Sequence, residues 1–200
     1  MRMILASNNA HKAREMSAIL SRLGVETVTV REAGFSCEPE ETGTTFAENA
    51  EIKARALYEL SGEACIADDS GLTVDALDGA PGIYSARYAG EPCDDAANNA
   101  KLLRELSNVS DDRRTAAFVS SICCILPEGR VLRAEGRCPG VILRERRGDN
   151  GFGYDPLFYF PELGKTFAEL SEDEKNSVSH RSRALEAFAK VFENEMRVDK

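Results

Sequence analysis

Two stretches, Thr45-Phe46-Ala47-Glu48 and Cys65-Ile66-Ala67-Asp68-Asp69-Ser70-Gly71, decide the fold. The first is a capping-box pattern, in which a Thr hydroxyl and a Glu three residues on satisfy each other's backbone N–H groups. It predicts a helix running to about Leu60 and closing near Gly62. The second opens with an uninterrupted apolar run of the kind a strand buried on both faces shows, expected to end in Asp68-Asp69. A helix that hands over to a buried strand is a building unit of an α/β sheet.

The same alternation extends outward. Upstream, residues 2–6 read as a strand and residues 12–23 as a helix, with apolar Ala13, Met16, Ile19, Leu20 and Leu23 at helical spacing and Gly24 as the stop. The β-branched alternation of residues 25–30 gives a second strand. Downstream, residues 94–106 form a helix with Ala97, Leu102, Leu103 and Leu106 near one side. Residues 115–126 are a long strand, 127–130 a turn and 131–137 its hairpin return. Ser171 and Glu174 make another capping box, and residues 180–196 close the chain as a helix carrying Leu185, Phe188, Phe192 and Met196. The expected class is α/β: one domain over residues 1–200, with a central mixed sheet flanked by helices.

Of 200 residues, 42% are hydrophobic, enough for a core, and 25 Lys and Arg stand against 34 Asp and Glu, a net charge of −9. An acidic balance argues against a general nucleic-acid binder and against a surface that seeks anionic lipid. The longest apolar stretch, residues 116–127, is too short to span a bilayer. The first residues lack the apolar core of a signal peptide, so the expected location is cytoplasmic. The six cysteines form no C-x-x-C pair and are expected as reduced, mostly buried thiols, with Cys123 and Cys124 on opposite faces of one strand.

Chemistry gathers where predicted strands end, the usual ligand side of an open α/β sheet. Ser7-Asn8-Asn9-Ala10-His11-Lys12 leads from a strand into a helix and suits an anion, or is simply an Asn-rich cap. Asp68 and Asp69 are costly after a buried run unless paired or metal-bound, and Mg²⁺ is the natural hard cation for them. Lys53 lies on the apolar line Phe46, Ala50, Lys53, Leu57, either snorkelling or aimed at an anion. Glu40 and Glu41 sit in an acidic loop, and Gly151-Phe152-Gly153-Tyr154-Asp155-Pro156 sets two aromatics between glycines, able to stack a base or to form a turn over the core. Cations at Lys12, Lys53, Lys175 and Arg181 with these carboxylates suit a polyphosphate and its metal.

These segments, taken with Gly79-Ala80-Pro81-Gly82-Ile83-Tyr84-Ser85-Ala86-Arg87 and Ser179-His180-Arg181, resemble the inosine/xanthosine triphosphate pyrophosphatase family in order over nearly the whole chain. The resemblance implies two lobes with an active-site cleft between them, a homodimer, and Mg²⁺-dependent hydrolysis of ITP, dITP and XTP to the monophosphate and pyrophosphate. It implies that Ser7, Asn8, Asn9, Ala10, His11, Lys12 and Lys53 hold phosphates. Glu40 and Asp69 would hold the metal, and Asp69 would accept the proton of the attacking water. Ser70 would touch substrate, and Phe152, Gly153, Tyr154 and Asp155 would take the base and sugar. Lys175, His180 and Arg181 would complete the nucleotide site, with Arg181 donating to the 6-oxo group. Asn8 stands where many relatives have Gly. The rival readings are a pyrophosphatase for pyrimidine or modified nucleotides and a nucleotide sensor that does not hydrolyse.

Overall fold

The computed structural model describes residues 1–7, 9–22 and 24–198; Asn8 and Leu23 therefore lie outside the described residues. In chain order it contains β1 (Arg2–Leu5), α1 (Ala10–Arg22), β2 (Glu26–Thr29), α2 (Phe46–Ser61), β3 (Cys65–Val74), α3 (Asp95–Glu105), β4 (Thr115–Ile125), β5 (Val131–Ile142), β6 (Phe158–Phe160), β7 (Lys165–Thr166), α4 (Glu172–Val178) and α5 (His180–Val198). The strands form one sheet in the order β2-β1-β3-β4-β5-β6-β7. β1 is parallel to β2 and β3, whereas β6 is antiparallel to both β5 and β7, so the sheet is mixed. Helices flank it, as the α/β reading requires.

The chain packs as two compact units. One comprises Met1–Asp69, Ser120–Gly136 and the segment from His180 onward; the other comprises Ser70–Val119 and Arg137–Ser179. In the first unit, strand alternation sorts side chains into two apolar layers. Met3, Leu5, Ile66, Ile122 and Cys124 pack with α1 residues Met16 and Leu20 and α5 residues Leu185 and Phe188. Ile4, Ala6, Cys65, Ala67 and Cys123 pack with α2 residues Ala50, Ala54 and Leu57. The adjacent cysteines thus do point opposite ways. Four of the six thiols are buried, Cys37 is partly buried and Cys93 exposed, and burial pushes Cys123 up to about 11.

The second unit has an aromatic core in which Phe158 lies 4.6 Å from Phe118 and 4.8 Å from Phe167 between ring centroids. Arg114, almost fully buried there, donates to the carbonyls of Leu106, Ile142 and Leu143 and so ties the end of α3 to the end of β5.

The predicted α2 start is present in full. Thr45 caps the helix with both halves of the capping box, and Gly62 closes it in the left-handed conformation at φ 66°. Four expectations need correction. β3 does not stop at Asp68-Asp69 but runs to Val74, because both carboxylates are paired and so tolerate burial inside a strand. β5 passes through Pro139 to Ile142; Pro139 points outward, and Gly140 leaves room for the Phe158 ring and the Tyr159 carbonyl. On α3 the buried face belongs to Asn98, Asn99 and Leu102, while Ala97 is exposed. Met196 on α5 is 40% exposed. The two short strands β6 and β7 carry no alternation long enough to detect.

Candidate active site

Strand alternation sends Asp68 and Asp69 to opposite faces of β3. Asp68, 1% exposed, faces α1 and α5. Lys12 Nζ lies 3.2 Å from its Oδ2, Arg181 Nη2 donates to the same oxygen at 3.2 Å, and the Ser120 hydroxyl donates to Oδ1. Arg181 reaches Glu15 with its other terminal nitrogen. Lys12 and Glu15 are one turn apart on α1 and therefore share a face. Burial pushes Asp68 upward, but the Arg181 and Lys12 charges and the Ser120 hydroxyl outweigh it and hold the carboxyl well below the usual range.

Asp69, 6% exposed, faces α2. Lys53 Nζ donates to Oδ1 at 2.7 Å, and Asn49 Nδ2 lies 3.5 Å from Oδ2. Asn49 and Lys53 are four residues apart on α2, on one face. Lys53 also meets Glu41 at 3.5 Å. Here burial wins: it raises the Asp69 carboxyl above its ordinary value against the pull of Lys53 and Lys12, with Glu41 adding to the rise. Gly43 permits this arrangement. Its N–H donates to Asn49 Oδ1 at 2.9 Å, and a side chain at 43 would run into Asn49 and Glu48.

The other expected residues fall as follows. Asn9 Oδ1 caps α1 by accepting from the N–H groups of His11 and Lys12 at 3.0 and 3.1 Å, and Ser7 Oγ accepts from Asn9 N–H at 3.3 Å. Ala10 and His11 are exposed, and His11 Nδ1 lies 2.9 Å from Arg14 Nη2. Ser70 is partly buried and continues β3. His180, 5% exposed, begins α5; the backbone of Gly136 packs so tightly on this turn that any side chain at 136 would strike the His180 carbonyl and Ala184 N–H. Glu40 is exposed, and it is its neighbour Glu41 that reaches Lys53.

In the second unit, Lys175, 5% exposed, donates to Asp155 Oδ2 at 2.8 Å and stands 4.7 Å from the centre of the Phe152 ring. Asp155 Oδ2 also accepts from Phe152 N–H at 3.0 Å, and Tyr154 OH donates to the Ser85 carbonyl at 2.8 Å. Gly153 lies between them at φ 60°.

Arg181, expected to donate to a 6-oxo group, is here an ion-pair partner on α5. Arg181 is 1% exposed, and its terminal nitrogens donate to two acids, Glu15 and Asp68. For a metal, the donor chemistry does fit. Asp69 and Glu41 already converge on one cation, the Lys53 ammonium. Two such carboxylates match the donors Mg²⁺ takes, one or two carboxylates with water and phosphate oxygens completing the shell.

The profile of the Ham1 family matches residues 3–191. The chain belongs to the Ham1 family. Among similar Ham1 relatives, the protein named dITP/XTP pyrophosphatase of Desulforamulus reducens is 55% identical over 192 residues, 96% of each chain. That of Haemophilus influenzae is 51% identical over 92% of this chain and 95% of its own. The solved Ham1 protein of Staphylococcus aureus superposes with a TM-score of 0.87 at 42% identity, covering 98% of this chain and all of that one. The Mycobacterium abscessus structure described as nucleoside-triphosphatase / dITP/XTP pyrophosphatase gives 0.76 at 49% identity, over 94% of this chain and 98% of that one.

The site's residues outside the expected set are Glu15, Asn49, Ser120 and Glu41 as the carboxylate facing Lys53. Glu15 carried a signal, since it is a charge on the buried line of α1 beside Met16. Asn49 carried the same kind of signal, four residues before Lys53.

Proposed function

We propose that the chain hydrolyses deaminated purine nucleoside triphosphates, dITP, XTP and ITP, to the monophosphate and pyrophosphate with Mg²⁺. Its membership in the Ham1 family and its named relatives support an enzyme acting on nucleoside triphosphates. The observation that carries the chemistry is Asp69: a buried carboxylate raised above its ordinary value, with one cation at hydrogen-bonding distance. A carboxylate of raised proton affinity is the one suited to take a proton. Asp68 is unsuited, because Arg181, Lys12 and Ser120 all favour its charged form.

In this reading Lys12 and Lys53 exchange carboxylate contacts for phosphate oxygens as the triphosphate enters. Water attacks the α-phosphorus, its proton passes to Asp69, and the bond to the β-phosphate bridging oxygen breaks to release pyrophosphate. Most of the barrier is lowered by positioned charge rather than by covalent chemistry. Asp69 and Glu41 would hold the metal, which when bound neutralises charge on the phosphates. Phe152, backed by Lys175 and Asp155, offers an aromatic face to the base. Homodimerisation remains an expectation from the family.

The test is the hydrolysis of dITP in ¹⁸O-labelled water. The expected products are pyrophosphate and dIMP, with the label in dIMP. Initial release of dIDP and orthophosphate overturns the reading.

A further inference from the structure

The loop that carries Phe152 is made of residues that hold no shape by themselves. Gly151 and Gly153 both take positive φ, 77° and 60°, in a region where glycine is one of few residues at ease and loses much freedom on ordering. Asp155 fixes one peptide of this loop through the Phe152 N–H. The next peptide groups are fixed by α3. Gly153 N–H donates to Asp95 Oδ2 at 2.7 Å, and the Gly153 carbonyl accepts from Asn99 Nδ2 at 2.8 Å. Asp95 and Asn99 are four residues apart and share a helix face. The second hydrogen of the Asn99 amide goes to the Asp95 carbonyl at 2.6 Å, locking the side chain to its own helix.

Asn99 is 2% exposed, and its Oδ1 has no hydrogen-bond partner among the described residues. A buried acceptor left unused costs free energy that an apolar residue at this place would not. The contribution that offsets it is on the donor side, in the two bonds to Asp95 and Gly153. Both residues thus act on Gly153 from either side, Asp95 as acceptor and Asn99 as donor.

We infer that Asp95 and Asn99 are positioning residues for base recognition: by bracketing Gly153 they hold the Phe152 ring where a purine base meets it. This rests on the reading that Phe152 contacts the base, and adds to it two side chains on α3 that do not touch the nucleotide. Without them the loop samples other conformations, and the apparent affinity falls with the fraction of competent loop. The chemical step, assigned to Asp69, is left intact.

The experiment is steady-state dITP hydrolysis by Asn99→Ala, Asp95→Ala, Asp95→Asn and Phe152→Ala, with inorganic tripolyphosphate as a competitor that has no base. Thermal melting confirms that each variant is folded. Asn99→Ala and Asp95→Ala are expected to raise KM about tenfold, the scale of one hydrogen bond to a charged or buried group, with kcat changed less than about threefold. Asp95→Asn keeps an acceptor for Gly153 N–H and is expected to restore most of the KM. Inhibition by tripolyphosphate is expected to stay as in the wild type. The inference is overturned if the α3 variants leave KM unchanged while Phe152→Ala raises it, if they lower kcat at constant KM, or if tripolyphosphate binding weakens in step with KM. If Phe152→Ala itself leaves KM unchanged, the base-contact reading fails and the inference with it.

Discussion

On one face of β3, Asp68 meets Lys12, Arg181 and Ser120; on the other, Asp69 meets Lys53 and Asn49, with Glu41 beyond the lysine. The two residues are the same type, adjacent and both nearly inaccessible. Their carboxyls are nevertheless pushed in opposite directions, Asp68 down and Asp69 up. Burial raises both. The difference lies in the partners, since the first face supplies two close cations and a hydroxyl, and the second one close cation diluted by a second acid. Pairs of carboxylates driven apart in this way divide structural from proton-transfer work. On the proposed reading, the α1/α5 face is a clamp and the α2 face holds the carboxylate that takes the proton.

The largest effect should come from Asp69→Asn. The amide keeps the shape but accepts no proton, so turnover of dITP should fall by about 10²- to 10⁴-fold, the usual scale for a positioned base. Stability should not fall with it. The folded state raises the Asp69 carboxyl, so this residue's stabilising contribution belongs to the protonated form, is present below the unfolded value and is lost as pH rises through the folded one. At neutral pH the charged residue therefore works against folding, and melting of Asp69→Asn should match or exceed the wild type. A loss of stability alongside activity would erase the contrast between the faces.

Asp68→Asn should do the reverse. It leaves Arg181 and Lys12 without their shared carboxylate in a buried site, and such a break costs about 3–5 kcal/mol. The folded state lowers Asp68, so its contribution is present above the unfolded value, near 3.8, and is lost as pH falls toward the folded one. Urea unfolding at a series of pH values should show the gap between mutant and wild type widest near neutrality and closing in acid below about pH 4. A gap that persists unchanged at the acid end would mean that Asp68 acts by shape and not by charge.

Much of this contrast was legible beforehand, because charges on apolar lines are informative. Lys53 among Phe46, Ala50 and Leu57 reads as snorkelling or aimed at an anion, and two acids after Cys65-Ile66-Ala67 need a partner or a metal. The helix-to-strand alternation was equally plain, since capping boxes and glycine stops are local. What escaped depends on partners distant in sequence. Glu15 and Arg181 lie far apart in the chain, and nothing local says that the arginine meets an acid of α1. β3 was read as ending where its charges begin, because only tertiary pairing makes Asp68 and Asp69 tolerable inside a strand. The buried polar face of α3, Asn98 and Asn99, was hidden for the same reason: their hydrogen bonds go to loops at Ala86, Ala89 and Gly153.

A smaller effect sharpens the account of the α2 face. Lys53 opposes the rise of Asp69, so Lys53→Met should send that carboxyl higher still. An opposite charge at this distance shifts a carboxylate by about 1–3 units, and the titration midpoint should move upward by that amount. Carbon NMR of the labelled carboxyl in metal-free protein reads it directly. Asp68 should stay below the ordinary range in the same spectra, since Arg181, Lys12 and Ser120 act on it more strongly than Lys53 does, and all three remain. A downward move of Asp69, or an equal move of both residues, would mean that the two faces titrate as one coupled site.

The smallest effect concerns the acidic loop. Glu41 and Glu40 are consecutive, equal in charge and close in sequence to α2, yet only Glu41 reaches Lys53. Its charge raises the Asp69 carboxyl both directly and by sharing the one ammonium that lowers it. Glu41→Gln should therefore move the Asp69 midpoint down, opposite in sign to Lys53→Met. Glu41 is about one-third exposed, with a side-chain accessibility of 31%, so solvent screens the interaction. The shift should be about half a unit or less, in line with the small energies of partly exposed charge pairs. Glu40→Gln should leave the midpoint in place, because Glu40 is exposed. The same two variants also separate the candidate metal ligands. If Glu41 and Asp69 share the cation, Glu41→Gln raises the Mg²⁺ concentration needed for half-maximal hydrolysis, while Glu40→Gln leaves it near the wild-type value. The opposite ranking, with Glu40→Gln the more damaging, would assign the metal to Glu40 and require the loop to turn that carboxylate inward when nucleotide and metal arrive.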